Sequence, residues 1–235
     1  MKLLQWNIWY KEKIENIASF IQEIKPDIIC LQELSHNTEY NSGIHTADYL
    51  RDVLGMNMFY REGQKWSAGD KQSQEVGNAI YSPFPIASGF YTYINQPTEN
   101  PTDFSAEGRV YLEVDLKIDK QLLTVGTTHM SYTRGFIETE GKKRSANLFL
   151  EAVRKNRQSF IFSGDFNVMP DSSTIQEIEK SFVNVGPDVA QKTWTTKPFI
   201  EGSFQADSLD YRLDYVFATP DLKIASAQIL QTQFS

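Results

Sequence analysis

The sequence predicts an α/β protein in which packed β-sheets carry helices on their outer faces. Three observations support this class. A strand, an amphipathic helix and a second strand follow one another within the first 33 residues. A two-residue alternation runs over 109–118 and is answered by an apolar strand at 122–128. Helical periods then separate further short strands. Hairpins mixed with strand–helix–strand units bury their apolar faces by sheet packing inside and helix packing outside.

The elements can be placed in order. Residues 2–8 read as an opening strand. Ile14, Ile17, Ala18, Ile21 and Ile24 recur at helical spacing, giving a helix over about 11–24. Pro26 stops it, because proline disfavours helix in the residue before it. Asp27 to Gln32 is a compact apolar strand ending in the polar pair Gln32-Glu33; an uninterrupted apolar run suits a strand covered on both faces. A helix over about 44–54 follows, then 61–75 reads as a polar, exposed loop. Val76 to Ser82 forms a strand closed by Pro83 and Pro85, and 95–106 is a second loop. Val110, Leu112, Val114, Leu116 and Ile118 alternate with polar or charged neighbours, the signature of a half-buried strand. Asp119-Lys120 turns the chain into the partner strand Leu122–Thr128. A helix over about 139–156, a strand at Ser159–Ser163, a short helix over about 172–181 and two late strands, 211–218 and 223–231, complete the reading.

Composition bounds the function. The 235 residues are 40% hydrophobic and 23% charged, with 15 Phe, 11 Tyr and 4 Trp. That fills the core of one domain spanning 1–235 and excludes disorder, collagen and coiled coil. The net charge of −7 argues against broad coating of nucleic acid, though not against a local basic groove. The lone cysteine, Cys30, excludes a disulfide framework. Within Ile28-Ile29-Cys30-Leu31 it reads as a small core hydrophobe. No apolar run reaches the ~18–20 residues of a membrane span. The start turns polar at Gln5 and Asn7, with no secretory segment of ~7–15 apolar residues. A cytoplasmic protein is expected. No repeat appears at the ~20–50 residue periods of solenoids.

Polar residues interrupt the apolar strands at their ends: Asn7, Glu33, His129, then Asp165 and Asn167 after Phe160-Ile161-Phe162, and Asp214 within Arg212-Leu213-Asp214-Tyr215. Each has a plain structural reading. Asn7 suits a turn, Glu33 a solvated strand end, Asp165 a Gly-Asp turn, Asp214 a surface pair with Arg212, and His129 a satisfied core histidine. Their joint order is more telling. Trp6-Asn7, Leu31-Gln32-Glu33, Thr128-His129, Gly164-Asp165-Phe166-Asn167 and Arg212-Leu213-Asp214-Tyr215 together resemble the endonuclease/exonuclease/phosphatase superfamily. Gly77-Asn78-Ala79-Ile80 and Glu107-Gly108-Arg109-Val110 resemble two further blocks.

The resemblance implies a four-layer sandwich of two packed mixed sheets, α/β or α+β by scheme. It also implies phosphoester hydrolysis aided by Mg2+ or Mn2+. Glu33 would be the main metal ligand, with Asn7 assisting through its carbonyl oxygen, since magnesium prefers oxygen ligands and keeps several waters. Asp165 would orient or deprotonate the attacking water, and Asn167 would donate to a phosphate oxygen. The Gly before Asp165 would let backbone approach the substrate closely. His129 would contact the scissile phosphate or leaving group. Arg109 would offer a positive fork, or serve the strand alone. Asn78 and Trp194 complete the implied substrate-binding set, core packing being the alternative for Trp194.

The family ordinarily closes with a Ser-Asp-His block whose histidine is oriented by a carboxylate in the position of Asp214. This sequence ends Gln233-Phe234-Ser235 where that block would begin. A chain lacking its last strand and that block is therefore expected. Between 134 and 157, seven basic side chains stand against three acidic ones. This stretch could line a phosphodiester backbone or be a solvated helix face. The expected substrate is a phosphate ester, nucleic acid or nucleotide-like, with tyrosyl-DNA phosphodiesterases and deadenylases the most similar branch. A phosphatase or lipid phosphodiesterase of the same superfamily is the alternative enzyme. A non-catalytic binding module with the same fold is the alternative class. No protein partner is implied.

Overall fold

A computed structural model describes residues 1–68, 71–155, 159–195 and 197–232. Two strand–helix–strand units organise it. Strand β1 (Leu3–Asn7) leads through helix α1 (Ile14–Ile24) to β2 (Ile28–His36), which lies parallel to β1 with Leu3 opposite Ile28 and Asn7 opposite Gln32. Helix α1 begins late because the buried Asn41 caps it from outside: Ile14 N–H donates to Asn41 Oδ1 at 2.9 Å. It ends at Lys25 in the left-handed region, before Pro26.

Helix α2 (Thr46–Leu54) precedes a long hairpin of β3 (Asn57–Ala68) and β4 (Lys71–Ser82). The first sheet has the order β1-β2-β4-β3. Strands β5 (Ile86–Asn95), β6 (Arg109–Ile118) and β7 (Gln121–His129) form an antiparallel meander. Helix α3 (Glu140–Val153) then crosses to β8 (Phe160–Asp165), parallel to β7. Helix α4 (Ser173–Glu179) follows, with β9 (Val183–Asn184), a small hairpin of β10 (Phe199–Glu201) and β11 (Phe204–Ala206), and β12 (Asp214–Ala218). The second sheet has the order β5-β6-β7-β8-β12-β9.

Three apolar layers separate four structural ones. Ile28, Cys30 and Ile80 meet Val110, Leu112, Val114, Val125 and Ile161 between the sheets. On the other face of the first sheet, Ile29, Leu31, Ala79 and Tyr81 meet Ile14, Ile17 and Ile21 of α1 and Leu50 of α2. On the far side, Tyr111, Phe160, Phe162 and Phe217 meet Phe149, Val153 and Ile178. The expected four-layer sandwich is the fold. The uninterrupted apolar run of β2 follows from its two covered faces. Cys30 is wholly buried, and burial pushes its thiol up to about 12, consistent with core packing.

Three expectations are corrected. The stretch 61–75 is not a loop; its described residues lie in the β3–β4 hairpin. Its polar residues meet polar groups of the 98–108 segment. Gln64 donates to Thr98 O at 2.7 Å and accepts from Gly108 N–H at 2.7 Å, and Ser67 N–H donates to Asn100 Oδ1. Residues 86–95, assigned no element in sequence, form the edge strand β5, whose largely exposed burial pattern hides the period. Residues 223–231 form no strand; their backbone joins neither sheet, and Ile224 and Leu230 are exposed. The helix expected to reach 156 ends at Val153, and residue 156 lies outside the described residues.

Arg212 is also not a surface partner of Asp214. It is 1% exposed, and its guanidinium donates to four backbone carbonyls: Asp214 at 2.7 Å, Gln191 at 3.0 Å, Pro187 at 3.2 Å and Asp188 at 3.3 Å. It therefore fastens the 187–191 loop to the start of β12. Arg212→Met fills the space but strands those carbonyls, so urea unfolding should show a loss of about 2–4 kcal/mol. An unchanged midpoint would mean that the loop does not depend on it.

Candidate active site

The C-terminal ends of parallel strands are where crevices form in α/β sheets, and both parallel pairs end at the same place. Asn7 ends β1, and Glu33 sits three residues before the end of β2. His129 ends β7 directly opposite Asp165 at the end of β8. Asp214 opens β12 as the antiparallel partner of Asp165. Glu33 reaches the crevice through a break in regular pairing. Its φ is +64°, and the register against β4 shifts between Leu31 and Leu34. Asn7, Glu33, Arg109, His129, Asp165, Asn167, Trp194 and Asp214 all line one large open cavity.

Hydrogen bonds tie the two sheets together there. The Asn7 amide nitrogen bridges Glu33 Oε1 at 2.8 Å and Asp165 Oδ2 at 3.1 Å, while its carbonyl accepts from Trp9 N–H at 3.1 Å. Glu33 Oε2 accepts from Tyr10 N–H at 3.1 Å. Asp165 Oδ1 accepts from Asn167 N–H at 2.9 Å. Asn167 spends one amide hydrogen on Met130 O, leaving the other for a ligand. Below this layer, the buried Gln32 donates to Thr127 Oγ1 at 2.8 Å and pairs with Gln5, which donates to Asp214 Oδ1 at 3.3 Å.

The electrostatics are those of crowded acids. Burial, with Asp214 beside it, raises the Asp165 carboxyl, and burial raises Asp214 too. The two titrate as a pair. His129 Nε2 lies 3.8 Å from Asp165 Oδ2. Burial, with Arg109 and Lys142 near, holds its imidazole well below the usual range, so it is neutral at pH 7. Arg109 pairs with Glu107 at 2.8 Å, but its buried Nε makes no hydrogen bond among the described residues. Carboxylate oxygens gathered at one point, with negative charge to neutralise, suit a hard divalent cation; Asn7, expected to offer its carbonyl oxygen, turns its amide nitrogen to them instead.

Asn78 stands apart from this group. It does not line the large cavity; its amide donates to Val110 O at 2.9 Å, beside a small hollow it shares with Arg109 and His129. Trp194 lines the cavity while packing against Phe136, Phe199 and Tyr211, so the packing reading and the site reading both describe it. Gly164 has a different reason from the one expected. A Cβ there would lie 2.1 Å from Thr128 O on β7, so strand packing demands the glycine.

The basic stretch 134–157 does not line the cavity in its described part. Arg154 pairs with Glu177 and Lys143 with Glu140 on the surface, and Arg157 lies outside the described residues. Lys142 is the exception. It is 2% exposed, donates to Thr133 Oγ1 and to the carbonyl of Asn167, and burial pulls it down to about 8. Its place at helical spacing with Ala146, Phe149 and Val153 was the available signal. Gln5, which reaches Asp214, was also missed as a site residue, because it reads only as the outward position of an alternating strand.

An aromatic rim surrounds the acids. Trp9, 42% exposed, carries Lys197 Nζ at 4.5 Å from its ring centroid, and Lys11 lies over both Tyr10 and Tyr40. Phe104 and Tyr132, which also line the cavity, meet edge to face.

Comparison with known proteins agrees with the fold. The Endonuclease/Exonuclease/phosphatase family matches residues 4–233. No curated protein sequence matches the chain. Among solved structures, an endonuclease/exonuclease/phosphatase from Beutenbergia cavernae is 17% identical with a TM-score of 0.66, over 94% of this chain and 64% of that one. This chain thus spans about two thirds of that protein's length. A mannosyl-6-phosphatase from Bacteroides thetaiotaomicron is 16% identical, TM-score 0.63, over 94% of this chain and 86% of that one. The human Nocturnin catalytic domain with bound sulfate is 17% identical, TM-score 0.64, over 94% and 82%. At these identities the likeness is one of fold.

A raised folded-state carboxyl contributes stability below its unfolded value that is lost as pH rises through the folded one. Asp165→Asn keeps the Oδ1 acceptor and removes the charge, but sets an NH2 where Oδ2 accepts from Asn7. In chelator its stability relative to wild type should rise from pH 5 to pH 8, by on the order of 2 kcal/mol. Calorimetry checks this, and a difference that stays flat across that range would refute the crowding of the pair.

Proposed function

The chain belongs to the endonuclease/exonuclease/phosphatase family, and from that premise we propose that it is a Mg2+- or Mn2+-dependent phosphodiesterase. Its substrate is a nucleic acid or a nucleotide-like diester, cleaved by an activated water. The observation that carries the reading is the meeting of Glu33, Asp165 and Asp214 with Asn7 at one crevice. Glu33 and Asn7 would hold the cation, which when bound supplies Lewis-acid polarisation and charge neutralisation at the phosphate.

The chain's own groups do the rest. Asp165, its basicity raised by burial, orients the water and accepts its proton. Asp214, opposite it on the neighbouring strand, adds to that basicity. The free hydrogen of the Asn167 amide faces developing phosphate charge, and Arg109, which lines the cavity, adds positive charge to its wall. Neutral His129 gives a hydrogen bond to a phosphoryl or leaving oxygen without adding charge. Lys142 holds the Asn167 backbone in place from behind. Exposed Trp9, with Lys11 and Lys197 near its ring at the cavity, suits a base stacked on a ring and a backbone drawn to cations.

A substrate panel in Mg2+ and Mn2+ tests this: a short oligonucleotide, an aryl phosphodiester, sugar phosphates and a phospholipid. Diesters should lead. Asp165→Asn should lower kcat roughly 10²–10⁴-fold, while Trp9→Ala should raise KM for the oligonucleotide and leave the small aryl diester alone. Preference for phosphomonoesters would favour a phosphatase, and no hydrolysis of any ester would overturn the enzymatic reading.

A further inference from the structure

The chain has three histidines. One is at the active site, and the other two, His36 and His45, meet elsewhere. Their rings lie 4.8 Å apart, with Glu75 between them. Three separate elements deliver them. His36 ends β2 and is the register partner of Glu75 on β4, while His45 is the N-cap of α2.

The distances fit a metal. With bonds of about 2.0–2.1 Å, ligand atoms around a tetrahedral zinc stand about 3.3–3.5 Å apart. Here His45 Nε2 is 3.5 Å and His36 Nδ1 3.9 Å from Glu75 Oε1, and the three ligand atoms all lie within 4.8 Å of one another. A second-shell partner is also present. Asp48 Oδ2 lies 3.6 Å from His45 Nδ1, the nitrogen that must carry the proton if Nε2 ligates. The Asp48 backbone N–H that now caps onto that nitrogen, at 3.3 Å, would have to give way. Lys65 sits on the other oxygen of Glu75, Oε2, at 3.2 Å, and Tyr60 donates to Oε1 at 3.3 Å.

We propose that His36, His45 and Glu75 form a second metal site, for a zinc-class transition ion, distinct from the hard-cation site around Glu33. Two imidazoles and one carboxylate favour such an ion over Mg2+. The position gives the site a purpose. Gln74 and Val76 line the active-site cavity, and Glu75 between them points the other way, as strand alternation requires. The metal would pin the hairpin wall of the cavity to α2 and to the end of β2. This inference does not depend on the phosphoesterase reading.

The test is Co2+ and Zn2+ titration of the metal-free full chain. Wild type should take one equivalent of Zn2+ and give a visible Co2+ d–d band. Glu33→Gln should retain both. His36→Gln and His45→Gln, each shown folded by near-UV circular dichroism, should lose the band. Asp48→Asn, which leaves every ligand in place, should weaken Zn2+ roughly tenfold. The proposal is overturned if wild type gives no band, if Glu33→Gln abolishes it, or if a folded histidine variant keeps it with unchanged affinity.

Discussion

Two carboxylates side by side at the end of a strand pair, Asp165 buried and Asp214 half-buried, are what the rest of this molecule is arranged around. Asp165 and Asp214 face each other in antiparallel register, so the pleat itself sets their separation. An ionised acid out of water is costly, and a second one beside it more so. The fold answers with donors rather than a paired cation: Asn7, Gln5 and the Asn167 N–H reach these oxygens, and Arg109 is turned to Glu107 instead. What remains is a concentrated negative field at an open crevice, a setting in which a hard cation and a phosphate are mutually stabilised.

That arrangement needs the two sheets held at one offset. The apolar interface between them, Ile28, Cys30 and Ile80 against Val110, Leu112 and Val125, is shape-complementary but not directional. The polar links give direction. Gln32 crosses to Thr127 and Gln5 crosses to Asp214, both inside the sandwich, so a slip of one residue would strand four polar groups together. The same links join β1 and β2, which carry the metal-binding candidates, to β7 and β12 of the opposite sheet.

Most of the fold was legible because its strongest signals are physical necessities. A strand covered on both faces reads as Ile28 to Leu31, and a helix covering a sheet reads as isoleucines three and four apart. The hairpin over 61–75 escaped because its contacts with the 98–108 segment are polar and leave no apolar imprint. β5 escaped because an edge strand keeps one side wet. The strand expected at 223–231 alternates in sequence but joins neither sheet. The order of polar interruptions in the sequence marks Glu33, His129, Asp165 and Asp214, and all four line one cavity. It could not show that Asn78 lies behind the cavity, that Lys142 is buried, or that Gly164 answers to Thr128 rather than to substrate. His36 and His45 matched no motif, since only the pairing of β2 with β4 and the start of α2 bring them together.

The central claim is that Glu33 and Asn7, with the acids behind them, bind a hard divalent cation. Isothermal calorimetry of Mg2+ in the millimolar range, with a phosphate analogue present, tests it on wild type and Glu33→Gln without assuming a substrate. The account predicts binding by wild type and loss of that heat in the variant, with the fold unchanged. Equal binding by both, or none by either, would contradict it.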